Sequence, residues 1–140
     1  MNCNTTAQRA FSRSYSGASA AERWLEGLTS EAGFAESLLF AMQVCLEELF
    51  CNIVRHSGVT GGAADAVEIA VSSSENCIRM TIEDQGPAFD IRTVEAHPIT
   101  QSLEEIEPGG LGILLINSFS DSLEYQRSDG RNRVIVTFKC

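Results

Sequence analysis

Val67-Glu68-Ile69-Ala70-Val71-Ser72, a break at Ser73-Ser74-Glu75-Asn76, then Ile78-Arg79-Met80-Thr81-Ile82-Glu83-Asp84: this stretch decides the fold. Apolar and polar residues alternate with a period of two on either side of a polar turn, the pattern of two half-buried strands. The same period carries Asp84 onto the face of Ile78, Met80 and Ile82, so the second strand closes with a carboxylate on the core side. Downstream, Leu123 to Arg127 and Arg133 to Phe138 flank Asp129-Gly130 and read as a hairpin. Val134, Val136 and Phe138 share one face, taken as inward, and Ile135 and Thr137 share the other. Upstream, Phe11 and Tyr15 among polar residues mark Arg9 to Ser16 as a first strand.

Helical periods fill the spaces between. Ser19-Ala20-Ala21-Glu22 fits a capping box; a helix follows with Ala21, Trp24, Leu25 and Leu28 as its buried stripe and Gly33 as its stop. From about Ala35 to Ser57 runs a longer helix. At about 100° per residue, Leu38, Leu39, Met42, Cys45, Leu46, Leu49 and Ile53 fall in one arc, while Gln43, Glu47 and Arg55 point elsewhere. Glu48, Asn52 and His56 climb the edge of that arc, where an unpaired polar group costs about 1 to 3 kcal/mol to bury. A last helix spans about Leu111 to Phe119. Between Gly86 and Gly110 no period holds, beyond a short helix at Thr100 to Glu105; connections this long are uncommon in compact domains and often serve as active-site lids. The sum is an α+β two-layer sandwich, helices over one face of a mixed, mostly antiparallel sheet.

Composition narrows the function. The chain has 140 residues, 44% hydrophobic, and a formal net charge of −9, which suits one domain and argues against general contact with nucleic acid or an anionic membrane. Its start lacks a basic segment followed by an apolar run, and no stretch is read as reaching the roughly 18 apolar residues of a membrane span. A cytoplasmic protein is expected. The five cysteines, Cys3, Cys45, Cys51, Cys77 and Cys140, show no Cys-x-x-Cys spacing and read as small hydrophobes rather than as metal ligands or disulfides.

The polar residues left over point to a magnesium nucleotide. Glu48 and Asn52, four apart, bring their Cβ atoms within about 5 to 6 Å. An amide oxygen suits Mg²⁺, which takes its remaining oxygens from water and phosphates; Glu48 would then stand where it can accept a proton. Asp84 offers an acceptor for the amino group of adenine, and Gly86 a close backbone approach. Gly109-Gly110-Leu111-Gly112 opens a helix, where free N–H groups attract phosphate. Each signal has a plainer alternative: a solvated helix edge for Glu-x-x-x-Asn, a turn aspartate for Asp-x-Gly, an ordinary turn for the glycines. Their order along the chain favours the nucleotide.

In that order they resemble a known family. Leu46-Glu47-Glu48-Leu49-Phe50-Cys51-Asn52-Ile53-Val54-Arg55-His56 looks like the N box of the GHKL superfamily of gyrase, MutL proteins and histidine kinases. Asp84-Gln85-Gly86-Pro87-Ala88-Phe89-Asp90 and Gly109-Gly110-Leu111-Gly112-Ile113 resemble its two glycine boxes, and the tail from Leu123 to Arg133 is similar to anti-sigma-factor serine-protein kinases of the RsbW and SpoIIAB type. The resemblance implies a Bergerat-type ATP site in a single domain with a lid at about 87–109. Glu48 would be the catalytic base, Asn52 the magnesium ligand and Asp84 the adenine aspartate. Gly86, Gly110, Leu111 and Gly112 would come from the glycine boxes, His56 would line the pocket, and Thr137 would help hold adenine. It further implies homodimers that phosphorylate a serine on a STAS-type antagonist, and sigma binding in many members. Glu107-Pro108 replaces the basic residue common before the second glycine box of sigma binders, and Arg92 is the lid's firm cation. The other reading is an ATP-binding module that sequesters a regulator without phosphotransfer. Gyrase-like hydrolysis needs a further domain, and a histidine kinase needs a phosphoacceptor helix. His97 is given no role.

Overall fold

The computed structural model describes residues 6–56, 66–94 and 110–139. Strand β1 (Thr6–Ser12) leads into helices α1 (Tyr15–Ala32) and α2 (Glu36–His56); β2 (Ala66–Ser73) and β3 (Cys77–Asp84) follow, then a 3-10 turn at Ile91–Thr93, helix α3 (Gly110–Phe119), and strands β4 (Ser122–Ser128) and β5 (Arg131–Lys139). The strands lie in the order β1-β2-β3-β5-β4, and every described pairing is antiparallel. The α+β class and the two strands of the opening stretch stand as read. Ile69 faces Ile82 and Val71 faces Met80, so inward residues of one strand meet inward residues of the next.

The core is the seam between the helices and the inner sheet face. Val67, Ile69, Ile78, Met80, Ile82 and Val136 are fully buried against Leu25, Met42, Leu46 and Phe50. Phe50 lies outside the arc expected for α2, and Leu38, Leu39 and Ile53 inside it are only partly buried. The reason is that α2 packs on α1 and α3 as well as on the sheet, which widens and turns its buried side beyond one stripe. By length and composition α2 would also pass for a membrane span, contrary to the expectation; here it is the central helix of the layer.

The start of α1 differs too. Ser14, extended at φ −157°, is the N-cap, and its hydroxyl accepts from the Gly17 N–H at 3.0 Å. Ser19 sits one turn inside and donates to the Tyr15 carbonyl. β1 therefore ends at Ser12, and Tyr15 belongs to the helix. Close quarters explain the choice: a Cβ on Gly17 would stand 1.8 Å from the Ser12 carbonyl oxygen, so glycine lets α1 begin directly after β1. At the other end, Gly33 closes α1 in the left-handed region at φ 73°. The β4–β5 hairpin turns on Asp129 (φ 52°) and Gly130 (φ 74°), the pair of positive φ angles that a two-residue type I′ turn requires.

Candidate nucleotide site

One pocket opens where the C-terminal half of α2 meets the ends of β3 and β5. Leu49, Asn52, Ile53 and His56 line it from α2, Asp84 from β3, Pro87, Phe89 and Ile91 from the following segment, and Asn132 and Val134 from β5. The expected lid therefore begins as a wall. Phe89 stacks on the His56 ring at 4.3 Å between centroids and 13° between planes, and Ile91 is buried. Thr100 to Glu105, His97, Glu107-Pro108 and Gly109 lie outside the described residues. The open interior measures about 30 Å³, room for about two waters.

Helical spacing sets the α2 side. Asn52 is 5% exposed, and its Oδ1 is buried with no hydrogen-bond partner among the described residues. One turn earlier Glu48 lies half-buried beside α3, so close that a Cβ on Gly112 would meet its Oε2 at 2.6 Å. Burial first, and the charge of Glu47 second, push the Glu48 carboxyl above the usual carboxylate range, while Arg55 pulls the other way. That makes it a stronger proton acceptor once ionised. Gly110 and Leu111 form the first turn of α3, with Leu111 40% exposed. Cys45 is buried, and burial together with Glu48 pushes its thiol up to about 12, as a small hydrophobe should behave.

On the β side, Asp84 is 5% exposed and makes the turn bond weighed for it. Its Oδ2 accepts from the Gly86 N–H at 2.8 Å, closing a turn. Gly86 is wholly taken up by that turn: its carbonyl accepts from Arg127 Nη1 at 2.9 Å and from Asn132. Arg92 is engaged with Asp90 through Nη2 at 2.8 Å and Nε at 3.0 Å, and its bonds hold the Asp90 carboxyl below its ordinary range.

Thr137 must be withdrawn from the site. It pairs with Arg79 of β3 and Ser122 of β4, and sits one position from both Val136 and Phe138, which face the helices; its side chain therefore points to the opposite face. Asn132 is the residue that sequence reasoning missed. It shares the inward parity of Val134, Val136 and Phe138, stands directly across from Asp84, and is 5% exposed. Its Nδ2 donates to the Pro87 carbonyl at 2.8 Å, and its Oδ1 accepts from Phe89 N–H at 3.2 Å and from the Tyr125 hydroxyl at 2.5 Å. Extending the period of two by one step from Val134 would have found it.

The comparisons agree with this architecture. Residues 11–138 match the histidine kinase-like ATPase domain. The serine/threonine-protein kinase BtrW of Bordetella bronchiseptica is 32% identical over 114 residues, covering 81% of this chain and 80% of its own. The serine-protein kinase RsbW of Bacillus thuringiensis is 29% identical over 120 residues, covering 81% and 72%. Among solved structures, the RsbU and RsbW domains of a Mycobacterium tuberculosis protein superpose with a TM-score of 0.69 at 12% identity, over 96% of this chain and 32% of that one. The SiaB–SiaC complex from Pseudomonas aeruginosa gives 0.62 at 15%, over 96% and 89%; at such identities both speak to the fold. With the family match running nearly end to end and protein kinases as relatives across most of its length, the chain belongs to the histidine kinase-like ATPase domain family, as a serine/threonine-protein kinase.

Proposed function

We propose that the chain is a single cytoplasmic domain, with its lid at about 87–109, that works as a homodimer and moves the terminal phosphoryl group of ATP to a serine of a STAS-type antagonist protein. The observation that carries the nucleotide reading is the buried Oδ1 of Asn52, without a hydrogen-bond partner among the described residues, one helical turn from a carboxylate of raised proton affinity and across the pocket from Asp84. A neutral amide oxygen held without a partner is a fit ligand for Mg²⁺. Asn52 would hold the ion, whose chemistry there would be to neutralise charge on the phosphates. Asp84 Oδ1 would accept from the amino group of adenine, and the N-terminus of α3 would face the phosphates. Glu48 would take the proton of the acceptor serine as its oxygen bonds to the γ-phosphorus and the bond to the β–γ bridging oxygen breaks, releasing ADP.

The relatives BtrW and RsbW support this reading by name, and the SiaB–SiaC complex supports a protein partner. Sigma binding is the less favoured extension, because Glu107-Pro108 stands where a basic residue is common in sigma binders. The test is phosphotransfer from labelled ATP, with Mg²⁺, to a STAS-type protein that co-purifies with the chain. Glu48→Gln should lower transfer by about 10² to 10⁴ while nucleotide binding persists. Nucleotide-dependent binding of that protein with no labelled serine would replace the kinase reading with sequestration.

A further inference from the structure

Strand β4 is an edge of the sheet, yet two of its residues bear on a single loop, Arg127 directly and Tyr125 through Asn132 of β5. Arg127 Nη1 donates to the Gly86 carbonyl at 2.9 Å. The Tyr125 hydroxyl donates to Asn132 Oδ1 at 2.5 Å, and the Arg92 guanidinium lies 5.9 Å from the Tyr125 ring centroid. Neither Tyr125 nor Arg127 lines the pocket. What they hold is the turn that carries Asp84.

Asn132 is the clasp of that turn. Its Nδ2 spans the carbonyls of Pro87 at 2.8 Å and Gly86 at 3.4 Å and reaches Asp84 Oδ2 at 3.5 Å. Its Oδ1 has two donors, the Phe89 N–H at 3.2 Å and the Tyr125 hydroxyl. The backbone donors and acceptors choose which way the amide faces, since a flipped amide would set Oδ1 against two carbonyls and a carboxylate. The hydroxyl is the shorter of the two bonds to Oδ1. Without it that side of the amide is held by the 3.2 Å bond from Phe89 alone.

We propose that Tyr125 is a positioning residue for base recognition: acting through Asn132, it holds the 84–89 turn so that the Asp84 carboxylate presents Oδ1 to the purine at one fixed angle. This rests on the reading of Asp84 as the acceptor for the adenine amino group. A carboxylate so held favours adenine, whose C6 substituent donates, over guanine, whose C6 oxygen only accepts. Tyr125 thus sets nucleotide selectivity from outside the pocket, and Glu48 and the phosphates are untouched by it.

The test uses the full chain with ATP and GTP as titrants and a STAS-type acceptor for turnover. Tyr125→Phe should raise the KM for ATP about 3- to 10-fold, leave kcat within about twofold, and reduce the preference for ATP over GTP. In the Asn132→Ala background the same substitution should add nothing, because the hydroxyl acts only through the amide. Equal losses in both backgrounds, or a fall in kcat with KM unchanged, overturn the proposal. Asp84→Asn separates it from the reading beneath: if Asp84→Asn abolishes ATP binding and Tyr125→Phe changes neither KM nor selectivity, Tyr125 is excluded and the nucleotide site stands. If Asp84→Asn binds ATP like the unsubstituted chain, both fall. Should a variant unfold, the Asn132 side-chain amide of the unsubstituted protein gives the answer by NMR, where one NH₂ pair supports the clasp and two pairs in slow exchange overturn it.

Discussion

Gly112→Ala is the substitution in which local geometry and catalysis separate most cleanly. A methyl carbon there would stand 2.6 Å from Glu48 Oε2, 3.5 Å from its Cδ and 3.7 Å from its Cβ. Ordinary contact begins near 3.4 Å, so the carboxylate must retreat by about 0.8 Å. Only the end of a flexible side chain is in the way, so the backbone need not move. Pushing Glu48 off its rotamer costs about 0.5 to 1.5 kcal/mol, and replacing a helical glycine by alanine returns about 0.5 to 1 kcal/mol. The two nearly cancel, and Tm should stay within about 5 °C of the unsubstituted chain. Catalysis has no such compensation. A displacement approaching 1 Å of a group that must meet the acceptor hydroxyl costs on the order of 10² in rate. The assay is transfer from labelled ATP alongside ATP titration and thermal melting. Lost transfer with Tm preserved is the expected result; full transfer in a folded Gly112→Ala protein would refute the placement of Glu48 as the base.

The same substitution at Gly17 should do the reverse. There the new carbon would stand 1.8 Å from a backbone carbonyl oxygen, which no side-chain rotation relieves, so a loss of at least about 1 to 3 kcal/mol should appear in thermal melts while residual folded protein still binds ATP. The pH profile of transfer should rise through an inflection above the usual carboxylate range, since the base must be ionised and burial favours its protonated form. Glu47→Gln removes a neighbouring negative charge that raises Glu48 and should move that inflection to lower pH. An unmoved inflection would show that the titrating group is not Glu48.

How much of this was legible depends on whether local pattern or tertiary contact decides. The strands flanking Ser73 to Asn76, the Asp129-Gly130 hairpin and the inward carboxylate of Asp84 follow from a period of two, which the pleat enforces whatever else packs nearby. The α1 start does not. Both Ser14 and Ser19 are capping residues by type, and the choice falls to the one from which the chain can leave β1, with Gly17 against Ser12, a contact no local pattern records. Thr137 and Asn132 show the limit from another side. Thr137 entered through a family likeness, against the parity that put Val134, Val136 and Phe138 inward. That parity, carried one step back, reaches Asn132. The closeness of Glu48 to Gly112 and the Phe89–His56 wall are likewise contacts between distant parts of the chain.

The central claim is that Asn52, Glu48 and Asp84 form a site for ATP with Mg²⁺, and its most direct measure is calorimetric titration of ATP with and without Mg²⁺ into the unsubstituted chain and into Asn52→Ala. The buried Oδ1, unpartnered among the described residues, predicts that Mg²⁺ tightens ATP binding to the former and that this gain disappears in Asn52→Ala, with the fold intact by thermal melting. An equal gain from Mg²⁺ in both proteins would contradict it.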